Sequence, residues 1–188
     1  PKIGGKSVYP YQPEGLWDLS DKSWRYRYEH DTGEGLYRRS LYTFWKRSAP
    51  PPSMMIFDTP NRDICSVKRT VTSSPLQALV MLNDPQFVEA ARVMAEKYLV
   101  SENDDIDKQL SSIFKRVIGR TIQLKELGTL KRFYWDEKDK FSKMPSQAIA
   151  YLKTGERVID AKVDKIDMAA LATVISGLMN TAEAITIN

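Results

Sequence analysis

The sequence predicts a mainly α (α+β) fold: a helical bundle from about residue 74 onward, a small antiparallel β-ribbon, and an irregular, aromatic-rich N-terminal segment. Three observations carry this reading. After Ser74, apolar residues recur at helical spacing, with Ser, Asp and Pro at the starts and Gly at the stops. Residues 1–35 are instead broken by Gly and Pro and filled with rings. Between these regions, 36–47 and 64–72 are β-leaning in composition. With 42% hydrophobic and 28% charged residues, the 188-residue chain has the material for a real core. It reads as a single domain over 1–188, with 1–73 as aromatic wrap plus ribbon and 74–188 as helical core.

In chain order, Gly4, Gly5, Pro10, Pro13, Gly15, Gly33 and Gly35 punctuate the first segment. A short helical turn is expected around 15–20. Trp24, Tyr26 and Tyr28 alternate with Arg25, Arg27 and Glu29, which suits a short strand. The rings are expected to pack, so the segment wraps the domain. Over 36–47, a strand would put Tyr37, Arg39, Leu41, Thr43, Trp45 and Arg47 on one face, with Arg38, Ser40, Tyr42, Phe44 and Lys46 on the other. Pro50-Pro51-Pro52 is expected to hold an extended, rigid stretch. The run 64–72 then supplies the second strand of the ribbon.

The helices have better-defined starts. Ser74-Pro75-Leu76-Gln77 combines an N-cap, a first-turn proline and a capping-box glutamine. Asn83-Asp84-Pro85 ends that helix and begins another, whose stripe is Phe87, Val88, Ala91, Met94, Ala95 and Tyr98. The acidic run 102–105 is a loop and cap for a helix carrying Ile106, Leu110, Ile113, Phe114 and Val117, closed near Gly119. Further helices are expected over about 123–140, 146–153 (ending at Gly155) and 165–180. In the last, Met168, Leu171, Ile175 and Leu178 form a core-facing stripe.

Charge and cysteine content narrow the function classes. Net charge is +4, and residues 36–72 carry seven Lys/Arg against two Asp, a local +5 that leaves −1 for the rest. One cysteine excludes an internal disulfide and leaves the compartment open. The longest apolar run, 168–179, is short of the ~20 residues a membrane span needs. The chain opens at Pro1 without a leader and is expected to be a piece of a larger multidomain protein.

Covalent haem attachment needs Cys-x-x-Cys-His, and structural zinc usually needs four Cys/His ligands; Cys65 and His30 alone supply neither. No haem, metal or other cofactor is therefore expected in this chain. Residues 102–107 lack the spacing of a calcium loop and read as helix-entry charge. Cys65 is expected to be a buried, inert thiol, and His30 to be exposed in its polar turn. No nucleophile elbow, phosphate loop or dinucleotide fingerprint is present, and no catalytic residue is assigned. Asp58, Arg62 and Asp63 flank a turn and read as a structural ion-pair group that Arg38 or Arg39 can join. The candidate interaction surface is Arg38, Arg39, Trp45, Lys46, Arg47, Arg62, Lys68 and Arg69. Cations interleaved with rings suit an acidic partner surface or an acidic glycan. A nucleic acid is not the expected partner.

The runs LYRRSLYTFWKR, PPPSMMIFDTPNRDIC and SPLQALVMLNDPQFVEAA closely resemble a bacterial domain of unknown function. It forms the C-terminal part of planctomycete-type proteins that carry cytochrome c modules. The opening GGKSVYPYQPEGLW, the segment IFKRVIGR and the closing DMAALATVISGLMNTAEAIT share the resemblance, which spans nearly the whole chain. It implies an extracytoplasmic or periplasmic protein, with haem held in upstream modules. Those upstream domains are the expected partners, and a non-catalytic interaction or scaffold role is the expected function. A carbohydrate- or polyanion-binding role in polysaccharide breakdown, or a share in an active site formed with upstream domains, are the alternatives.

Overall fold

The computed structural model describes residues 2–17, 27–60, 65, 67–68, 72–101 and 105–185. The described residues are mainly helical: α1 Pro52–Ile56, α2 Pro75–Asn83, α3 Pro85–Ser101, α4 Ile106–Ile118, α5 Leu124–Lys143, α6 Pro145–Leu152, α7 Lys165–Met179 and α8 Ala182–Ile185. The chain divides into two compact units, Pro1–Gln77 and Ala78–Asn188.

The first unit is built on rings and tight turns. Two 3-10 turns, Gly33–Tyr37 and Ser40–Tyr42, occupy much of the stretch predicted as the first ribbon strand. Their i to i+3 bonds engage local amides, as in Tyr42 N–H to Arg39 C=O at 2.9 Å and Thr43 N–H to Ser40 C=O at 3.1 Å. Among the described residues, extended pairing is reduced to one isolated parallel bridge between Val8 and Thr43. The predicted ribbon is not seen among the described residues, and 64–72 lies mostly outside them, as do residues 24–26 of the predicted N-terminal strand. From 36–47, Phe44 instead joins a cluster of rings. Tyr9, Trp17, Tyr28 and Phe44 meet with centroids 5.0–6.3 Å apart, in stacked and edge-on pairs. Trp17, Val8 and Leu36 are buried.

The proline run is also not wholly extended. Pro51 stays extended as the cap residue, but Pro52 opens α1. A proline's fixed φ and missing N–H fit the first helical position.

In the second unit, the capping chemistry sets the helix ends. Asp84 accepts from Gln86 N–H at 2.8 Å at the start of α3. Asp105 accepts from Asp107 and Lys108 N–H at the start of α4, and bonding to Lys108 holds its carboxyl below the usual range. Gly119 closes α4 at φ 91, where a side chain would be strained. Asp164 caps α7 through Ile166 and Asp167 N–H.

The hub is α7, which contacts α3, α4, α5, α6 and α8. The expected stripe of Met168, Leu171, Ile175 and Leu178 is buried. So are Ala169, Ala170, Ala172, Val174 and Ser176, so α7 is enclosed on every side rather than on one. Small residues make this possible. A Cβ on Gly177 would come within 3.3 Å of Phe133, so α5 packs close there. No helix among the described residues is long and apolar enough to cross a membrane.

Candidate interaction surface and polar networks

The cationic residues singled out from the sequence have different fates within the first unit. Arg38 is half-buried, donates from Nη2 to Gly4 C=O at 2.6 Å, and lies 4.2 Å over the Tyr42 ring. The Tyr42 hydroxyl in turn accepts from Gly4 N–H at 2.8 Å. Arg38 and Tyr42 thus clasp the N-terminal turn. Lys46 is also half-buried, with Nζ 4.7 Å over the buried Trp17 ring. Trp45 is half-buried, while Arg39, Arg47 and Lys68 are exposed. Arg62, Asp63 and Arg69 lie outside the described residues. In the same stretch of sequence, Tyr37, Leu41 and, at its edge, the ring-packed Phe44 are exposed. The unit holds twelve Lys/Arg against eight Asp/Glu, a net +4, whereas the second unit holds sixteen of each. The whole excess of positive charge therefore belongs to the first unit.

Asp58 sits in the left-handed region at φ 57, the only described non-glycine residue with positive φ. Its carboxylate accepts from Thr72 N–H at 2.7 Å and from the Thr72 hydroxyl at 2.8 Å, with Gln77 Nε2 at 3.5 Å. Gln77 Nε2 also donates to Ile56 C=O at 2.9 Å. The capping box read from the sequence is present: Ser74 N–H donates to Gln77 Oε1 at 3.1 Å, and Gln77 N–H meets Ser74 Oγ at 3.4 Å. One buried glutamine therefore both starts α2 and ties together Ile56, Asp58 and Thr72. Arg38 is placed at Gly4 and Tyr42 rather than at this turn. Cys65, expected to be buried, is exposed. His30 is exposed as expected, packs on Tyr11 at 5.1 Å, and has Nδ1 2.9 Å from Asp31 C=O.

The second unit contains polar networks that sequence reasoning passed over. On α3, Glu89, Arg92 and Glu96 are buried. Glu89 Oε1 accepts from Arg157 N–H at 2.8 Å, Arg92 Nη2 donates to Arg157 C=O at 2.8 Å, and Glu96 Oε1 accepts from Asp160 N–H at 2.6 Å. Charges at these spacings usually mark a solvated helix face, so the sequence held no signal for their burial. The returning 155–160 segment bonds all three. Arg120 forms a second network, with paired bonds to Glu126 (2.9 and 2.6 Å) and Glu183 (2.6 and 3.0 Å). Bonding to Arg120 draws the Glu126 carboxyl down to about 2 and lowers that of Glu183. A third joins the Tyr134 hydroxyl, which donates to Asp167 Oδ1 at 3.1 Å, with Lys138 at 2.5 Å from the same oxygen. Burial, then the Asp167 charge, pushes the Tyr134 hydroxyl pKa up. Among the described residues, no group of three or more His, Cys, Asp and Glu is arranged to hold a metal ion.

These features define a mainly helical protein with a cationic, ring-built first unit and a charge-balanced helical second unit. A family model described as PSD1, a protein of unknown function (DUF1553), matches residues 1–134. The chain belongs to that family. No curated protein and no solved structure matches the chain.

Proposed function

We propose that this chain is a non-catalytic interaction or scaffold domain of an extracytoplasmic, planctomycete-type protein, docking against upstream modules that carry cytochrome c-type haem. The observation that supports this reading is the first unit's surface: Arg39 and Arg47 are exposed, as are Tyr37 and Leu41 in the same short stretch of sequence, on a unit of net charge +4. Arginine with aromatic neighbours is the composition that protein interfaces favour, and a cationic field draws acidic partners.

The test is binding of the 188-residue chain to the separately produced upstream modules of the full-length gene product. The Arg39→Glu/Arg47→Glu double variant is expected to weaken binding at least ~10-fold at low salt, through loss of complementary charge. No binding by the unaltered chain at low salt, or equal binding by the variant, would remove the reading. A panel of neutral and sulfated glycans, titrated with salt, separates the polyanion alternative. Retention on sulfated members alone, with no module binding, would replace the scaffold role by a glycan-binding one.

A further inference from the structure

Residues 153–164 connect α6 to α7, and their middle is bonded by ionic side chains of α3, with Ile159 its one partly buried apolar side chain. Glu89, Arg92 and Glu96 stand at i, i+3 and i+7 on α3 and bond the backbone of Arg157 and Asp160. Gly155 approaches so closely that a Cβ there would come 2.2 Å from Glu89 Cδ, and its φ of +90 already disfavours any side chain. We propose that 155–160 is a latch that leaves α3 as one unit while α7 remains packed. This inference is independent of the interaction role proposed above.

The physical case rests on what each state does to the charges. With the latch closed, Arg92 is fully buried; its Nη2 is engaged, but Nε and Nη1 are buried without a hydrogen-bond partner. Buried ionic groups with unmet donors are costly, and water would satisfy them on release. Little apolar surface would be lost in return. Val158 is already 87% exposed, and Ile159 is only half-buried against the core. An apolar α3 face would penalise opening through its own exposure; this charged face is rehydrated by it. Release is expected to be collective because Arg92 bonds both Glu89 and the Arg157 carbonyl, so neither contact near Gly155 breaks alone.

Residue-resolved amide hydrogen exchange on the 188-residue chain tests this. In the unaltered protein, the Arg157 and Asp160 amides should share one protection factor, at least ~100-fold below those of Leu171 and Ile175 in α7. Gly155→Ala, which drives a Cβ into Glu89, should speed exchange at both Arg157 and Asp160 by at least ~10-fold, with α7 unchanged. Glu96→Ala removes the far anchor without a clash and should speed Arg157 as well as Asp160. Latch protection equal to that of α7, or a response confined to the amide nearest each substitution, would overturn the proposal. So would no response in either variant, or exchange that rises equally in α7 and the latch.

Discussion

The two units of this chain hold themselves together with different chemistry. In Pro1–Gln77, the half-buried cations are turned onto rings and carbonyls, Arg38 onto Tyr42 and Gly4 and Lys46 onto Trp17, while the exposed Lys2 pairs with Glu34. Contacts with rings and carbonyls fix side chains without cancelling charge, and the unit keeps its net +4. In Ala78–Asn188, cations are turned onto carboxylates: Arg120 onto Glu126 and Glu183, Lys131 onto Asp107, Lys138 onto Asp167. That unit is neutral in sum, and its packing centres on the helix α7. The contrast teaches that a cation held by a π-face still projects its field, whereas one held by a carboxylate does not.

The sharpest way to break the comparison is at α7. Ile175 is fully buried in the second unit's core, and Ile175→Ala should cost ~2–5 kcal/mol in urea denaturation. A loss under ~0.5 kcal/mol would remove α7 from its central place. Next in size is the first unit's turn. Asp58→Ala gives up the carboxylate's bonds to Thr72 and keeps a strained φ, so it should cost ~1–2 kcal/mol. Asp58→Gly should recover part of that loss, because glycine accepts positive φ. Equal losses in the two variants would show that backbone conformation plays no part.

A smaller, salt-sensitive effect concerns the carboxylates on Arg120. The folded-state pKa of Glu126 is depressed to about 2 and that of Glu183 is lowered from their usual 4.5. Groups depressed on folding contribute stability above the unfolded pKa and lose it as pH falls toward the folded one. Stability should therefore decline between pH 4.5 and about 2, and Arg120→Leu should flatten that decline in acid titrations followed by circular dichroism. An unchanged acid slope would place the pairing outside the folding balance. The smallest effect is expected at Arg39→Glu. The site is exposed, so the melting free energy should stay within ~0.5 kcal/mol while the first unit's charge falls.

Much of the helical region from Ser74 onward could be read in advance, because its signals are local. Ser74 and Gln77 cap α2 as their spacing suggests, Gly119 ends α4, and Met168, Leu171, Ile175 and Leu178 are buried. Each depends on bonds or side chains within one or two helical turns. The first unit was harder. The alternation in 36–47 resembles a strand, yet its backbone bonds close into 3-10 turns and, among the described residues, only Val8 offers an extended partner. Strand identity depends on a partner elsewhere in the chain, and composition cannot supply one. The proline run shows the same limit on a smaller scale: Pro52 starts a helix because the residues after it can form one. Of the candidate surface, residue type and charge were legible, but not that Arg38 and Lys46 are engaged internally while Arg39 and Arg47 face solvent.

By itself, the order of residues determined the helical class, most helix ends, the absence of an internal disulfide and the location of the positive excess. These follow from dihedral preference, capping, periodicity and counting, all of which act over short stretches or none. The tertiary structure alone decided that α7 is enclosed on all sides and that Arg92 is buried. It also decided that Glu89 meets a backbone segment nearly seventy residues away. A side chain's burial is set by what returns to cover it, and that is a property of the whole folded chain.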